Sequence, residues 1–223
     1  MHDPLKQLYL IKNKVNDIIS KKKSEKIPNI IVVTKTFPLN KIIPILDSGH
    51  LHFGENKVQE AEKKWYETKN NYQNIKLHMV GKLQSNKAKK AVEIFDYIHS
   101  LDSKKLAQKI AEQEKLQNKK VKIFIQVNIG KEIQKAGVEL HELSTFYKYC
   151  SKDLSLNIVG LMCLPPINSN DQKYFKTLKE VADNLNLNEL SMGMSSDYES
   201  AILNGSTYLR LGTVIMGRRE LPN

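Results

Sequence analysis

Apolar residues recur along this chain in two registers that take turns. Between positions 3 and 22 they fall at Leu5, Leu8, Ile11, Val15, Ile18 and Ile19, the spacing of one helix face. A polar connector, Ser24 to Pro28, leads into Ile30-Ile31-Val32-Val33. Four β-branched apolar residues in a row predict a parallel strand over 29–34 that is buried on both faces. The register then returns to helical spacing over 39–48, with Gly49 where a C-cap glycine belongs.

The same alternation continues to the end. Strands are predicted at 51–53, 77–80, 97–100, 121–127, 156–161, 189–192 and 207–211. Between them, helices are predicted at 57–67, from a lysine-rich segment to 94, from a cap at Asp102 or Ser103 to 116, at 139–151, at 170–185 and from about Asp197 to 203. A last helical turn is expected within 214–219. A βα unit repeated about eight times predicts an α/β fold: one (β/α)8 TIM-type barrel, with an extra helix in front. The alternative is an open doubly wound sheet, but no GxGxxG follows the first strand, so the dinucleotide fingerprint is absent. Residues 1–223 are expected to form a single domain.

Composition narrows the class. No apolar run approaches the roughly 20 residues that span a bilayer. The start, Met1-His2-Asp3-Pro4, lacks the layout of a signal peptide, so a cytoplasmic protein without a membrane partner is expected. The two cysteines, Cys150 and Cys163, form no CxxC pair. The six histidines are scattered and are read, like the cysteines, as structural or surface residues rather than metal ligands. The net charge of +11 raises the question of nucleic acid, but arginine occurs only at Arg210, Arg218 and Arg219. Lysines spread over helix surfaces, without interleaved aromatics, favour a solvated surface over a specific nucleic-acid reader.

The active face of such a barrel is the C-terminal end of its strands. These ends deliver Lys35, Asn56, Asn128, Ser195 with Ser196, and Arg210 with Gly212 and Thr213. A lysine ending a strand is most often a surface lysine. At a barrel mouth it is also an amine nucleophile for an aldehyde. Ser195 and Ser196 read as an ordinary helix cap when taken alone, but Gly212-Thr213 after the next strand completes the loop pair with which barrels bind phosphate. Arg210 points opposite to Leu209 and Leu211, so it faces the barrel axis if the leucines face the helices. Its alternative role is an ion pair with a barrel carboxylate such as Glu55. An amine, a phosphate cup and an arginine between them match pyridoxal 5′-phosphate (PLP), which carries an aldehyde, a phosphate and a ring nitrogen. An arginine at that nitrogen leaves it unprotonated and weakens the ring as an electron sink.

Val33-Thr34-Lys35-Thr36, Phe53-Gly54-Glu55-Asn56, His78-Met79-Val80-Gly81-Lys82, Gln126-Val127-Asn128, Ser191-Met192-Gly193-Met194-Ser195-Ser196-Asp197 and Arg210-Leu211-Gly212-Thr213 resemble, in order, the pyridoxal phosphate homeostasis protein family. The resemblance implies the fold type III barrel of the alanine racemase N-terminal domain, with PLP as a Schiff base on Lys35. It implies phosphate binding by Ser195, Gly212 and Thr213, with Arg210 at the pyridine nitrogen. It also places Lys135 near the phenolic oxygen. Gln134-Lys135-Ala136-Gly137 departs from the family's Ser-Lys-Ser-Gly, and Met216 stands for a usual Phe. The implied role is balancing the cofactor in the cell without catalytic turnover, with PLP-dependent apoenzymes as acceptors and the protein a monomer. The chain ends at Asn223, so the second domain that supplies an opposing tyrosine in alanine racemase is expected to be missing. The alternatives are a single-domain PLP-dependent amino-acid racemase and, further off, a lysine-rich nucleic-acid binder.

Overall fold

The computed structural model describes residues 2–23, 26–130, 136–166 and 171–218. Eight parallel strands close into a barrel in sequence order: β1 Asn29–Val33, β2 His52–Glu55, β3 Lys76–Met79, β4 Tyr97–Leu101, β5 Lys122–Val127, β6 Ile158–Cys163, β7 Glu189–Ser191 and β8 Tyr208–Leu211. β1 pairs with both β2 and β8, which closes the ring and rules out the open sheet.

The helices alternate with the strands. In chain order they are α1 Pro4–Lys22, α2 Ile43–Asp47, α3 Val58–Trp65, α4 Thr68–Asn71, α5 Ala88–Ile94, α6 Lys104–Leu116, α7 Leu143–Lys148, α8 Asp171–Asn184, α9 Tyr198–Leu203 and α10 Thr213–Met216. Asp3 caps α1 by accepting from the Leu5 and Lys6 amides, and the predicted face Leu8, Ile11, Val15 and Ile19 is buried. α1 packs against α9 and α10. Ser103, rather than Asp102, caps α6, accepting from the Leu106 amide.

Several boundaries differ from expectation: the helix expected over 39–48 forms as a tighter 3-10 turn at Leu39–Lys41 followed by α2, and the strand expected at 51–53 runs to Glu55. Two further differences have a visible cause. β6 runs two residues later than predicted. Leu156 is buried in the core, which gives it a strand-like pattern, but its amide bonds back to the Cys150 carbonyl and it does not join the ladder. The predicted helix 139–151 starts at Leu143 because Val138 is drawn onto β5, its amide donating to the Gln126 carbonyl. The helix continues as a π turn over Tyr149–Asp153.

Two cores follow from strand alternation. Ile30, Val32, Phe53, Leu77, Ile98, Ile125, Leu161, Leu209 and Leu211 face the helices. Ile31, Val33, Tyr97, Phe124, Met162 and Tyr208 fill the lumen. The leucines flanking Arg210 are therefore outward, and Arg210 shares the inward side with Tyr208. Lys35 stands two residues beyond Val33, on the lumen's parity. Among the described residues no helix is long and apolar enough to cross a membrane.

Candidate functional site

β1 ends in a fixed turn. Thr34 is buried, and its hydroxyl donates to Glu55 Oε1 at 2.7 Å. Lys64, from α3, donates to the same oxygen at 2.8 Å, to the Thr34 carbonyl at 2.8 Å and to Glu60 Oε1 at 3.1 Å. Trp65 Nε1 donates to Glu55 at 3.0 Å. Thr36 has a φ of +67°, a costly region for a β-branched residue, and its amide donates to Glu60. This network turns the chain away immediately after Lys35 and leaves the half-buried lysine at the rim. Glu55 serves this turn, so the ion pair considered between Glu55 and Arg210 is not formed.

Arg210 is buried, and its partners are neutral. Nη1 donates to Ser191 Oγ at 2.7 Å and Nη2 to the Cys163 carbonyl at 2.9 Å. Burial lowers its pKa, offset in part by the nearby Cys163 and Asp197. Burial also pushes the Cys163 thiol up to about 12, so it stays protonated and unreactive near neutral pH.

The loops after β7 and β8 meet. Gly193 has a φ of +94°, and a Cβ there would lie 2.7 Å from Ala201 Cβ, so only glycine fits the turn. Asp197 accepts from the Met194 amide and closes the loop. Burial raises the Asp197 pKa, against the pull of that bond and of Arg210. Ser195 does not cap α9. Its hydroxyl oxygen accepts from the Val214 amide at 3.2 Å, tying the β7 loop to the first turn of α10.

Lys35, Asn56, Ser195, Arg210, Gly212 and Thr213 all line one cavity of about 680 Å³ at the barrel mouth. Val33, Phe37, Val80, Leu164, Met194, Ser196, Gly217 and Arg218 complete its walls. Asn128 lines an adjoining cavity of about 300 Å³ that shares Asn56, Val80 and Leu164 with the first. Its amide donates to Glu139 at 2.7 Å. Lys135 lies outside the described residues. Among the described residues, no three His, Cys, Asp or Glu side chains are arranged to hold a metal ion.

The family profile for the alanine racemase N-terminal domain matches residues 11–220. The pyridoxal phosphate homeostasis protein of Haemophilus influenzae is 33% identical over 224 residues, covering 96% of this chain and 94% of that one. The chain belongs to the pyridoxal phosphate homeostasis protein family. The Aquifex aeolicus family member is 35% identical over 89% of this chain and 90% of its own length. Among solved structures, PipY of Synechococcus elongatus PCC7942 without PLP superposes with a TM-score of 0.81 at 34% identity, over 91% of this chain and all (100%) of that one. The same protein has been solved with PLP bound, and that form matches with a TM-score of 0.79 at 35% identity. Alanine racemase of Clostridium difficile 630 shares the fold alone, with a TM-score of 0.68 at 14% identity, 92% of this chain matching 56% of the racemase.

The sequence reading missed Ser191 and the histidines of the lumen. His52, His78 and His99 are not scattered. They occupy inward positions on β2, β3 and β4 and link ring to ring. Counting parity from the outward Phe53, Leu77 and Ile98 would have found them.

Proposed function

We propose that this protein binds pyridoxal 5′-phosphate through Lys35 and serves to hold and release it, without catalytic turnover. The observation that carries the reading is the single cavity on which Lys35, Arg210 and the Ser195/Gly212/Thr213 cluster converge. The donor set fits the cofactor's chemistry: an amine, a buried guanidinium, and hydroxyls beside a glycine that lets the backbone approach an anion. The cofactor supplies an aldehyde and a polarisable pyridine ring. Lys35 would supply the amine that holds the aldehyde, Arg210 would donate a hydrogen bond to the ring nitrogen, and Ser195, Gly212 and Thr213 would hold the phosphate. Asn56, on the wall of this cavity, and Asn128, in the adjoining one, would contact the cofactor's ring, and Lys135 is read as the partner of the phenolic oxygen.

An arginine donor would leave the ring nitrogen unprotonated, which weakens the ring as an electron sink compared with an aspartate partner. That favours a carrier over the racemase alternative. One barrel holds Lys35, Asn56, Asn128, Ser195, Arg210, Gly212 and Thr213, which supports reading residues 1–223 as one domain. We further read the protein as cytoplasmic and monomeric, with PLP-dependent apoenzymes as acceptors and neither nucleic acid nor membrane as a partner.

The test is the absorption spectrum of the purified protein with added PLP, before and after borohydride, followed by mass mapping of the modified lysine. A visible band that borohydride removes, with the adduct on Lys35, is expected. An adduct spread over surface lysines would overturn the reading.

A further inference from the structure

A file of hydrogen bonds runs down the barrel lumen beneath the cavity. Arg210 Nη1 donates to Ser191 Oγ at 2.7 Å. Ser191 Oγ lies 2.8 Å from His99 Nδ1, His99 Nε2 lies 2.9 Å from His78 Nδ1, and His78 Nε2 lies 2.9 Å from His52 Nδ1. Ser191, His78 and His99 are fully buried at 0% exposure, so no solvent completes their bonding. His99 also stacks on Phe124, and His78 on Tyr97, which fixes the ring planes.

The cation at the top decides the direction of every bond below it. A guanidinium has donors and no acceptor, so Ser191 must accept from Arg210. The serine proton then needs an acceptor, and His99 Nδ1 is the atom that faces it. His99 therefore carries its proton on Nε2 and donates to His78 Nδ1. His78 likewise carries Nε2–H and donates to His52 Nδ1. The reverse direction would aim the His99 proton at Ser191 and leave the serine proton without a partner in a buried site.

We propose that His99, His78 and His52 are positioning residues for Arg210: a one-way file of neutral Nε2–H imidazoles that holds the Ser191 hydroxyl as an acceptor and so aims the guanidinium at the cavity. The charge state agrees. Burial holds His78 and His99 well below the usual imidazole range, and the Arg210 charge lowers His99 further. What Arg210 then does to the ring nitrogen rests on the function proposed above; the direction of the file does not.

The experiment has two arms. In the cofactor-free full chain at pH 7, nitrogen-15 NMR of labelled histidine is expected to find His52, His78 and His99 neutral and protonated on Nε2. An Nδ1–H tautomer at His99 or His78 overturns the proposal, whatever the protein binds. In the second arm, PLP-treated wild-type, His99→Leu and His99→Asn proteins are reduced, mapped and followed for cofactor release. His99→Leu removes the acceptor for Ser191 and is expected to release the cofactor about ten-fold faster, with a shifted visible band, the scale of one charge-assisted bond. His99→Asn returns an acceptor near the Nδ1 position and is expected to recover most of that loss. Equal release and unshifted bands in His99→Leu overturn the proposal. Failure of the wild type to load Lys35 counts against the functional reading instead, and the NMR arm still decides the file. Should His99→Leu fail to fold, the tautomers in the wild type decide.

Discussion

Lys35 sits where the Thr34–Glu55–Lys64 network ends β1, so its amine is presented at a fixed point on the rim. Lys35→Ala is expected to abolish the borohydride-sensitive band. A mutant with an undiminished band would shift the role to another lysine, with Lys82 and Lys135 the next to examine. Ser195→Ala and Thr213→Val each remove a donor to a dianion, worth about 1.5–3 kcal/mol for a charge-assisted bond. Either change should weaken PLP binding by roughly one to two powers of ten while leaving the fold intact. Pyridoxal, which lacks the phosphate, should be nearly indifferent to both, and equal losses for the two ligands would place the phosphate elsewhere. Ser195→Ala has a second cost, because the Val214 amide loses its partner. Thr213→Val is therefore the cleaner comparison.

At the scale of elements, two contacts hold the site's strands in place. Lys64, at 8% side-chain exposure, neutralises the fully buried Glu55 and joins α3 to the turn after β1. Removing one partner of such a pair strands the other charge, which costs about 3–5 kcal/mol. Lys64→Met should therefore lower the unfolding free energy by about that amount in urea titrations and slow the loading of Lys35. Adding Glu55→Gln to that variant should recover part of the stability but not the fixed turn. β6 and β7 approach closely at Gly160, where a Cβ would lie 1.9 Å from the Glu189 carbonyl oxygen. Gly160→Ala must push the strands apart and should cost about 3 kcal/mol, the upper range for overpacking. Its effect should extend to Arg210, whose anchors Cys163 and Ser191 lie on these two strands. A variant with wild-type stability would mean that the strands part without strain.

For the whole molecule, the buried histidines make stability depend on pH. Burial lowers His50 and His52 to about 4, with Lys12 and Lys76 respectively adding to the effect, and it holds His78 and His99 neutral as well. The unfolded chain takes up protons on these rings from about pH 6.5 downward, and the folded chain does not. Stability is therefore fully present above about pH 6.5 and falls as pH drops toward 4. The slope is up to about 1.4 kcal/mol per pH unit for each ring that resists protonation. Asp102 and Asp197, raised by burial, act in the opposite sense and flatten the acid end. Urea midpoints at pH 7, 6 and 5 test this, and a constant midpoint would contradict neutral rings in the lumen. Catalysis is also a property of the whole assembly. Deuterium exchange at the α-carbon of alanine and serine should not exceed that of the Lys35→Ala protein with PLP, and exchange well above that control would promote the racemase alternative.

The chain's own pattern determined the alternation of strands and helices and the groups that stand at the strand ends. Each of these follows from local rules: β-branched runs, helical spacing, and residues that stand one or two places past a strand end. Lys35, Arg210, Ser195, Gly212 and Thr213 were legible because a barrel brings all its strand ends to one face. Closure itself was decided only in three dimensions, by β1 pairing with β8 across almost the whole length of the chain. So was the partner of Arg210. Glu55 was the reasonable carboxylate by position, but its outward parity gave it to Lys64 and Trp65, leaving the guanidinium to Ser191 and a carbonyl oxygen. The histidine file belongs to the same class. Its members stand 26, 21 and 92 residues apart along the chain. Strand parity turns each of them inward, but their contact exists only because a closed barrel brings one side of every strand to a single axis.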